Sequence, residues 1–408
     1  MQQATPAAIS GQRFAVPSAV LPFAGEIYDI DAHESTPMNL WREQFGSVVE
    51  RLAAAVAQST LAATRLRAAD DTEINSETVW KRKSSEAPGA FDFTRRLQVL
   101  NLTGVRRQMM FPGGMGLLAL GLYASAADPT VFRSIDTDRK GYARCLLDAY
   151  NDFCARVGRQ SDRLRPVAVL LGETPRELYE HARQLLAAGI RAVWLPSGTP
   201  PGGCSPADPA LDPLWDALAA GQAAVLAHIG DQSNFLASLT WRNAPAFEGY
   251  KVGGEFSLDP WTLSTFHLAA QNLVSTLVLG GVFERHPNLR FGCCELGAGW
   301  LGPLAASLDM WNRNSRALGQ QGVSLLRLPE PPSFYIRRNI RVAGFDFEDI
   351  GAYLQLYGLR EVYCYASDFP HVEGGTEPMD RFSASLSRFG ESMLRDFFVN
   401  NGKWLLPE

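Results

Sequence analysis

The feature that most constrains the fold is a series of eight short apolar runs, most of them separated by a helical stretch. They lie at residues 26–31, 105–112, 166–171, 192–196, 223–229, 289–296, 339–345 and 362–366. Runs of this length that are apolar on both faces are expected of parallel strands covered by helices. The intervening segments carry the helical signals. Residues 139–156 place Ala143, Leu146, Leu147, Tyr150 and Cys154 at helical spacing. Thr174-Pro175 opens a helix over 174–188 with an N-cap followed by proline at the first helical position. Residues 262–283 read as one long helix stopped near His286-Pro287. Eight such units predict an α/β fold, a (β/α)8 TIM barrel with its working residues at the C-terminal ends of the strands. An open doubly wound sheet is the competing architecture, but no glycine-rich dinucleotide turn follows the first strand.

The barrel is expected over residues 26–400. An Ala-, Gln- and Pro-rich N-terminal arm (1–25) precedes it and a C-terminal tail (401–408) follows it. A polar helical and loop insertion, 40–90, follows the first strand and is placed over the mouth of the barrel, as a lid or a dimer contact; a homodimer is expected. Hydrophobic residues are 46% and charged residues 20%, enough for a sizeable core. A net charge of −5 with scattered Lys and Arg argues against nucleic acid or an anionic membrane as partner. No basic-then-apolar leader and no span of membrane length is evident. The six cysteines, 145, 154, 204, 293, 294 and 364, lack metal-site or disulfide spacing and read as free thiols of a reducing cytoplasm.

Chemically useful side chains fall at the predicted strand tips. Asp31 and His33 are i and i+2 at the end of the first strand and so share one face. His228 ends the fifth, Glu295 the sixth and Asp368 the eighth. Taken singly, each has an ordinary reading: a loop or core histidine, a helix cap, an Asx turn. Together they suit one divalent metal with an open water position. Asp29 reads as a supporting or capping carboxylate. His371 and Glu373 read equally as groups that orient the ligands or as loop residues. His181, His267 and His286 read as solvated or structural.

Five segments in this order carry a family resemblance. They are Asp29-x-Asp31-x-His33, Ala227-His228-Ile229-Gly230, Gly280-Gly-Val-Phe-Glu-Arg-His-Pro-Asn-Leu-Arg290, Glu295-x-Gly-x-Gly-Trp300 and Ser367-Asp-Phe-Pro-His371. Over roughly 26–400 the chain resembles the amidohydrolase-2 family, which includes aminocarboxymuconate-semialdehyde decarboxylase, γ-resorcylate decarboxylase and related hydrolases. The resemblance implies a (β/α)8 barrel binding one divalent metal, Zn2+ with Mn2+ as the alternative. Its metal ligands would be Asp31, His33, His228 and Asp368. Two departures stand out: Asp31 replaces the His or Glu of the best-known decarboxylases, and Glu295 replaces their strand-six histidine.

The expected function is metal-dependent hydrolysis of an amide, ester, lactone or activated C–C bond in a small aromatic or unsaturated carboxylic substrate. In that reading Asp368 or Glu295 is the general base, and His371 orients the base or stabilises developing negative charge. Non-oxidative decarboxylation is the alternative, disfavoured because a second carboxylate at position 295 would repel a substrate carboxylate. A barrel kept only as a binding scaffold is the third. Trp41, Phe111, Met115 and Trp241 are expected to line an apolar substrate pocket, with Arg337 recognising a carboxylate. The Pro112-Gly113-Gly114-Met115-Gly116 turn would let backbone approach a ligand, but it lacks the Lys-Ser/Thr ending of a phosphate loop.

Overall fold

The computed structural model describes residues 14–58, 70–128, 132–231, 235, 241, 244–247, 259–318 and 327–408. Residues 1–13 of the arm and 59–69 of the insertion lie outside the described residues.

The expected strands form as parallel segments: β1 Ile27–Asp29, β2 Val105–Met110, β3 Leu164–Pro166, β4 Ala168–Val169, β5 Ala192–Trp194, β6 Ala224–His228, β7 Arg290–Cys294, β8 Ile340–Ala343 and β9 Tyr363–Cys364. β3 and β4 stand in place of the single strand expected over 166–171, beginning two residues earlier and broken at Val167. Pro166 has no N–H to continue the ladder. Val167 N still donates to Met110 O (2.9 Å), after which Ala168 and Val169 pair with Val193 and Trp194. The order is therefore β1-β2-β3 and then β4 through β9. Beyond the strand ends, Ile30 N donates to Tyr365 O (3.1 Å), Asp368 N to Asp31 O (2.8 Å) and His33 N to Phe369 O (2.7 Å). These bonds join the last strand to the first and close the barrel.

Helices on the outside explain why the strands are apolar on both faces. All five residues of β6 are buried. The helix Arg139–Gly158 turns Tyr142, Ala143, Leu146, Leu147 and Tyr150 inward, and Pro175–Ala187 is capped by Thr174, whose hydroxyl accepts from Glu177 N. The expected single helix over 262–283 is three: Pro260–Thr265, Leu268–Leu279 and Val282–Arg285. Gly280-Gly281 ends the second, with Gly281 in the left-handed region (φ 70°).

Two peripheral segments are built into the body. In the insertion, Val79, Ala87 and Ala90 pack with Ala32, Val99 and Phe369 as a small second core, so residues 70–92 clamp the β1 and β9 tips. At the other end, Asn401–Leu405 is helical rather than a loose tail. Leu405 and Leu406 are buried, and Arg107 Nη1 donates to the carbonyls of Leu406 (3.1 Å) and Pro407 (2.6 Å). Among the described residues no helix is long and apolar enough to cross a membrane.

Candidate metal centre

The barrel register brings the tip residues together. His228 pairs with Cys294 across β6 and β7, so the next residue, Glu295, projects beside it. Ala32 bridges Phe369 and His33 bridges Phe111, which sets Asp31 and His33 beside Asp368. His33 Nε2 lies 3.6 Å from Asp31 Oδ1, 3.5 Å from Glu295 Oε2 and 3.5 Å from Asp368 Oδ1. His228 Nε2 lies 3.7 Å from Asp31 Oδ1 and 3.0 Å from Glu295 Oε2. Glu295 (φ 51°) and Asp368 (φ 50°) both adopt left-handed backbone, which costs a non-glycine residue on the order of 1–3 kcal/mol. That strain aims both carboxylates back over the strand ends.

The imidazoles are set up as ligands. His33 Nδ1 faces Pro112 O (3.2 Å) and His228 Nδ1 faces Ile229 O (2.8 Å). A carbonyl only accepts, so each Nδ1 carries the hydrogen and each Nε2 lone pair points to the cluster, the usual arrangement behind a metal-bound histidine. Phe111 packs 4.2 Å from the His228 ring and 5.9 Å from His33, and Trp194 packs 4.8 Å from His228. Trp194 Nε1 donates to Asp231 Oδ2 (2.8 Å), which also accepts from Ser197 N (3.0 Å).

A buried frame holds the tips. Asp29 accepts from Ser367 N (2.9 Å) and Gln108 Nε2 (2.8 Å), tying β1, β2 and the segment after β9. Arg96 is fully buried and donates to the carbonyls of Gly89 (2.6 Å) and His33 (2.7 Å) and to Gln108 Oε1 (2.9 Å). Its guanidinium lies 4.6 Å over the Phe369 ring.

The electrostatics are those of a site short of positive charge. Among the described residues, Asp31 Oδ1, His33 Nε2 and both Asp368 carboxylate oxygens are buried with no hydrogen-bond partner. Burial, then the Glu295 and Asp31 charges, pushes Asp368 well above the usual carboxylate range. Burial, with Asp368 next, pushes Glu373 up to about 9. Burial lowers His33 to about 4, helped by His371. Burial also opposes a charge on His228, but Glu295 and Asp31 outweigh it and raise that group. A divalent cation among Asp31, His33, His228, Glu295 and Asp368 would satisfy these atoms, and their separations are the edges of a coordination shell.

The structure groups Asp31, His33, His228, Glu295, Asp368 and His371. It does not bring the expected substrate residues there as a set. Phe111 is a buried wall behind the imidazoles. Trp41 and Met115 are core residues, and Trp41 Nε1 donates to Thr36 O (2.9 Å). The glycine turn approaches the protein's own Glu34 instead of a ligand: a Cβ on Gly113 would sit 1.7 Å from Glu34 O. Arg337 lies in the last turn of the helix Pro332–Asn339, just before β8, which places it at the N-terminal end of the barrel, away from the cluster. Trp241 is 71% exposed. Its neighbours 236–240 and 242–243 are outside the described residues, and the structure does not join it to the site.

The amidohydrolase family profile matches residues 124–406, more than half of the chain. No curated protein sequence matches. Among solved structures, an amidohydrolase of Mycobacterium avium subsp. paratuberculosis K-10 is similar at 19% identity with a TM-score of 0.66, over 94% of this chain and 98% of that one. A 5-carboxyvanillate decarboxylase of Novosphingobium aromaticivorans DSM 12444, solved with manganese and 3-methoxy-4-hydroxy-5-nitrobenzoic acid, gives 16% identity and a TM-score of 0.56, covering 94% and 98%. A 2,6-dihydroxybenzoate decarboxylase of Rhizobium gives 14% and 0.53, covering 93% and 98%. At these identities the likeness is one of fold.

Proposed function

The chain belongs to the amidohydrolase family, and from that premise we propose that it is a metal-dependent hydrolase of a small aromatic or unsaturated carboxylic substrate, cleaving an amide, ester, lactone or activated C–C bond. The observation that carries the reading is the convergence of two inward imidazole nitrogens with the Asp31, Glu295 and Asp368 carboxylates in a buried site. Asp31, His33, His228 and Asp368 would hold the ion, Zn2+ or Mn2+. When bound, such an ion lowers the pKa of water and polarises an electrophilic carbon.

The chain's own groups do the rest. Asp368 is the general base, because both of its oxygens lack a hydrogen-bond partner among the described residues, so one can ligate while the other takes the proton of the attacking water. Glu295, 3.0 Å from His228, is held below the usual carboxylate range: burial raises it, but the His228 and His33 charges and hydrogen bonds outweigh burial. It stays anionic beside the ion that His33 and His228 would hold. His371, its Nδ1 3.1 Å from Asp368 Oδ1, stands beside the base and stabilises negative charge that develops there. Leaving-group protonation returns the proton taken by Asp368.

Non-oxidative decarboxylation is the second reading, favoured by the decarboxylases among the similar folds. Turnover of metal-loaded protein in 18O-labelled water separates the two. Hydrolysis places the label in a product carboxyl or hydroxyl group, whereas carbon dioxide release with unlabelled product overturns hydrolysis in favour of decarboxylation.

A further inference from the structure

The rim holds more donors than one ion needs. They divide into Asp31, His33 and His228 on one side and His33, Glu295, Asp368 and His371 on the other, with ligand atoms within 4.8 Å of one another in each group. His33 can serve only one ion, because its Nδ1 is committed to the Pro112 carbonyl. His371 is the additional imidazole. It stacks on His33 with ring centroids 3.7 Å apart and planes 28° from parallel. Its Nδ1 lies 3.1 Å from Asp368 Oδ1 and 3.6 Å from Glu373 Oε1.

These groups are buried and unsatisfied. His371 is 5% exposed and Asp368 7%. Among the described residues, His371 Nδ1, both Asp368 oxygens and Glu373 Oε2 lack hydrogen-bond partners. A buried polar atom without a partner is costly, and a buried uncompensated charge more so. One divalent cation with neutral imidazoles balances two of the four carboxylates Asp31, Glu295, Asp368 and Glu373, and the Lys83 ammonium, bound to Gly375 O, offsets a third, leaving one. Asp346 lines the same small cavity but faces Arg381 Nε at 3.6 Å and is not part of that imbalance.

We infer that the rim binds a second divalent cation, held by His371 Nδ1, Glu373 and Asp368, with Asp368 Oδ1 shared between the two ions. Oδ1 is the atom that lies near both His33 Nε2 (3.5 Å) and His371 Nδ1 (3.1 Å), which leaves Oδ2 for proton transfer. The stacked His33 and His371 rings, with centroids 3.7 Å apart, would each face one of the two ions. That spacing matches the roughly 3.5–4 Å of two-metal hydrolytic sites. The second donor set is the richer in oxygen and favours manganese over zinc. The inference rests on the metal-dependent reading above.

The test uses the full chain, stripped with chelator and dialysed against Mn2+. Bound manganese is counted per chain, and electron paramagnetic resonance is read for exchange coupling between two ions. Two ions with a coupled signal are expected, falling to one uncoupled ion in Glu373→Gln and in His371→Ala. Glu373→Gln keeps the side-chain shape, so its loss of one ion does not depend on His371→Ala folding. One ion in the wild type, unchanged in both variants, overturns the second site and leaves the first. Two ions retained in both variants overturn the assignment of His371 and Glu373. No ion in the wild type overturns the metal-dependent reading itself.

Discussion

The guanidinium of Arg96 holds the backbone carbonyl of His33 at 2.7 Å while its other nitrogens bind Gln108 and the end of the insertion. One buried side chain thus fixes a candidate ligand, the β2 strand and the segment that covers them. Arg96→Lys keeps a charge but loses the fork. Supporting groups of this kind are worth roughly 10–100-fold in metal affinity. That loss is expected in metal titrations of the lysine variant, with helical content retained. Arg96→Ala strands several buried acceptors and should cost about 3–5 kcal/mol in urea unfolding.

Asp368→Asn should keep the fold and lose the chemistry. Asparagine tolerates left-handed backbone as aspartate does, so φ 50° is no added burden. It cannot take a proton, and kcat should fall by on the order of 100-fold or more. Wild-type turnover in a variant with an unchanged melting temperature would remove Asp368 from the role of base.

Replacing both His33 and His228 by alanine removes the two inward Nε2 donors and should abolish metal retention by elemental analysis. Metal content equal to that of the wild type would refute the site. Glu295→Gln is the gentler probe: it removes the anion beside His228 and should cut kcat/KM by on the order of 100-fold. An unchanged kcat/KM would make Glu295 a structural carboxylate.

Asp231 predicts a pH effect. Burial raises its carboxyl to about 6, against the hydrogen bonds from Ser197 and Trp194. An acid raised in the folded state lets the unfolded chain ionise first, so stability falls as pH rises from the unfolded pKa through the folded one and stays low above it. Compared with Asp231→Asn, the wild type should lose about 1–1.5 kcal/mol between pH 5 and 7.5 in urea unfolding. A pH-independent difference between the two proteins would show that the carboxyl is not raised.

The barrel and its rim are legible in the sequence because most strands are short, largely apolar runs, though β2 carries Arg106, Arg107 and Gln108, and because the polar residues that follow their ends project at the tips. Asp31, His33, His228, Glu295 and Asp368 obey that rule. Arg96, Gln108 and Asp231 do not announce themselves, since their partners are distant in sequence and no short spacing encodes them; Asp231 carries only the hint of following Ala-His-Ile-Gly. Arg337 illustrates another limit: proximity to a strand does not say which end, and Arg337 precedes β8 rather than following it. Trp41 and Met115 look like mouth residues because their segments follow strands, but those segments fold back into the core.

Asp29 and Ser367, 338 residues apart, meet across the line where β1 joins the segment after β9. Asp31 and Asp368 flank the same line. An ion held by both would act as a clasp across nearly the whole length of the chain, closing a very large loop in the manner of a cross-link. Metal loading should then slow global unfolding as well as raise stability, because the two halves of the clasp cannot separate without releasing the ion.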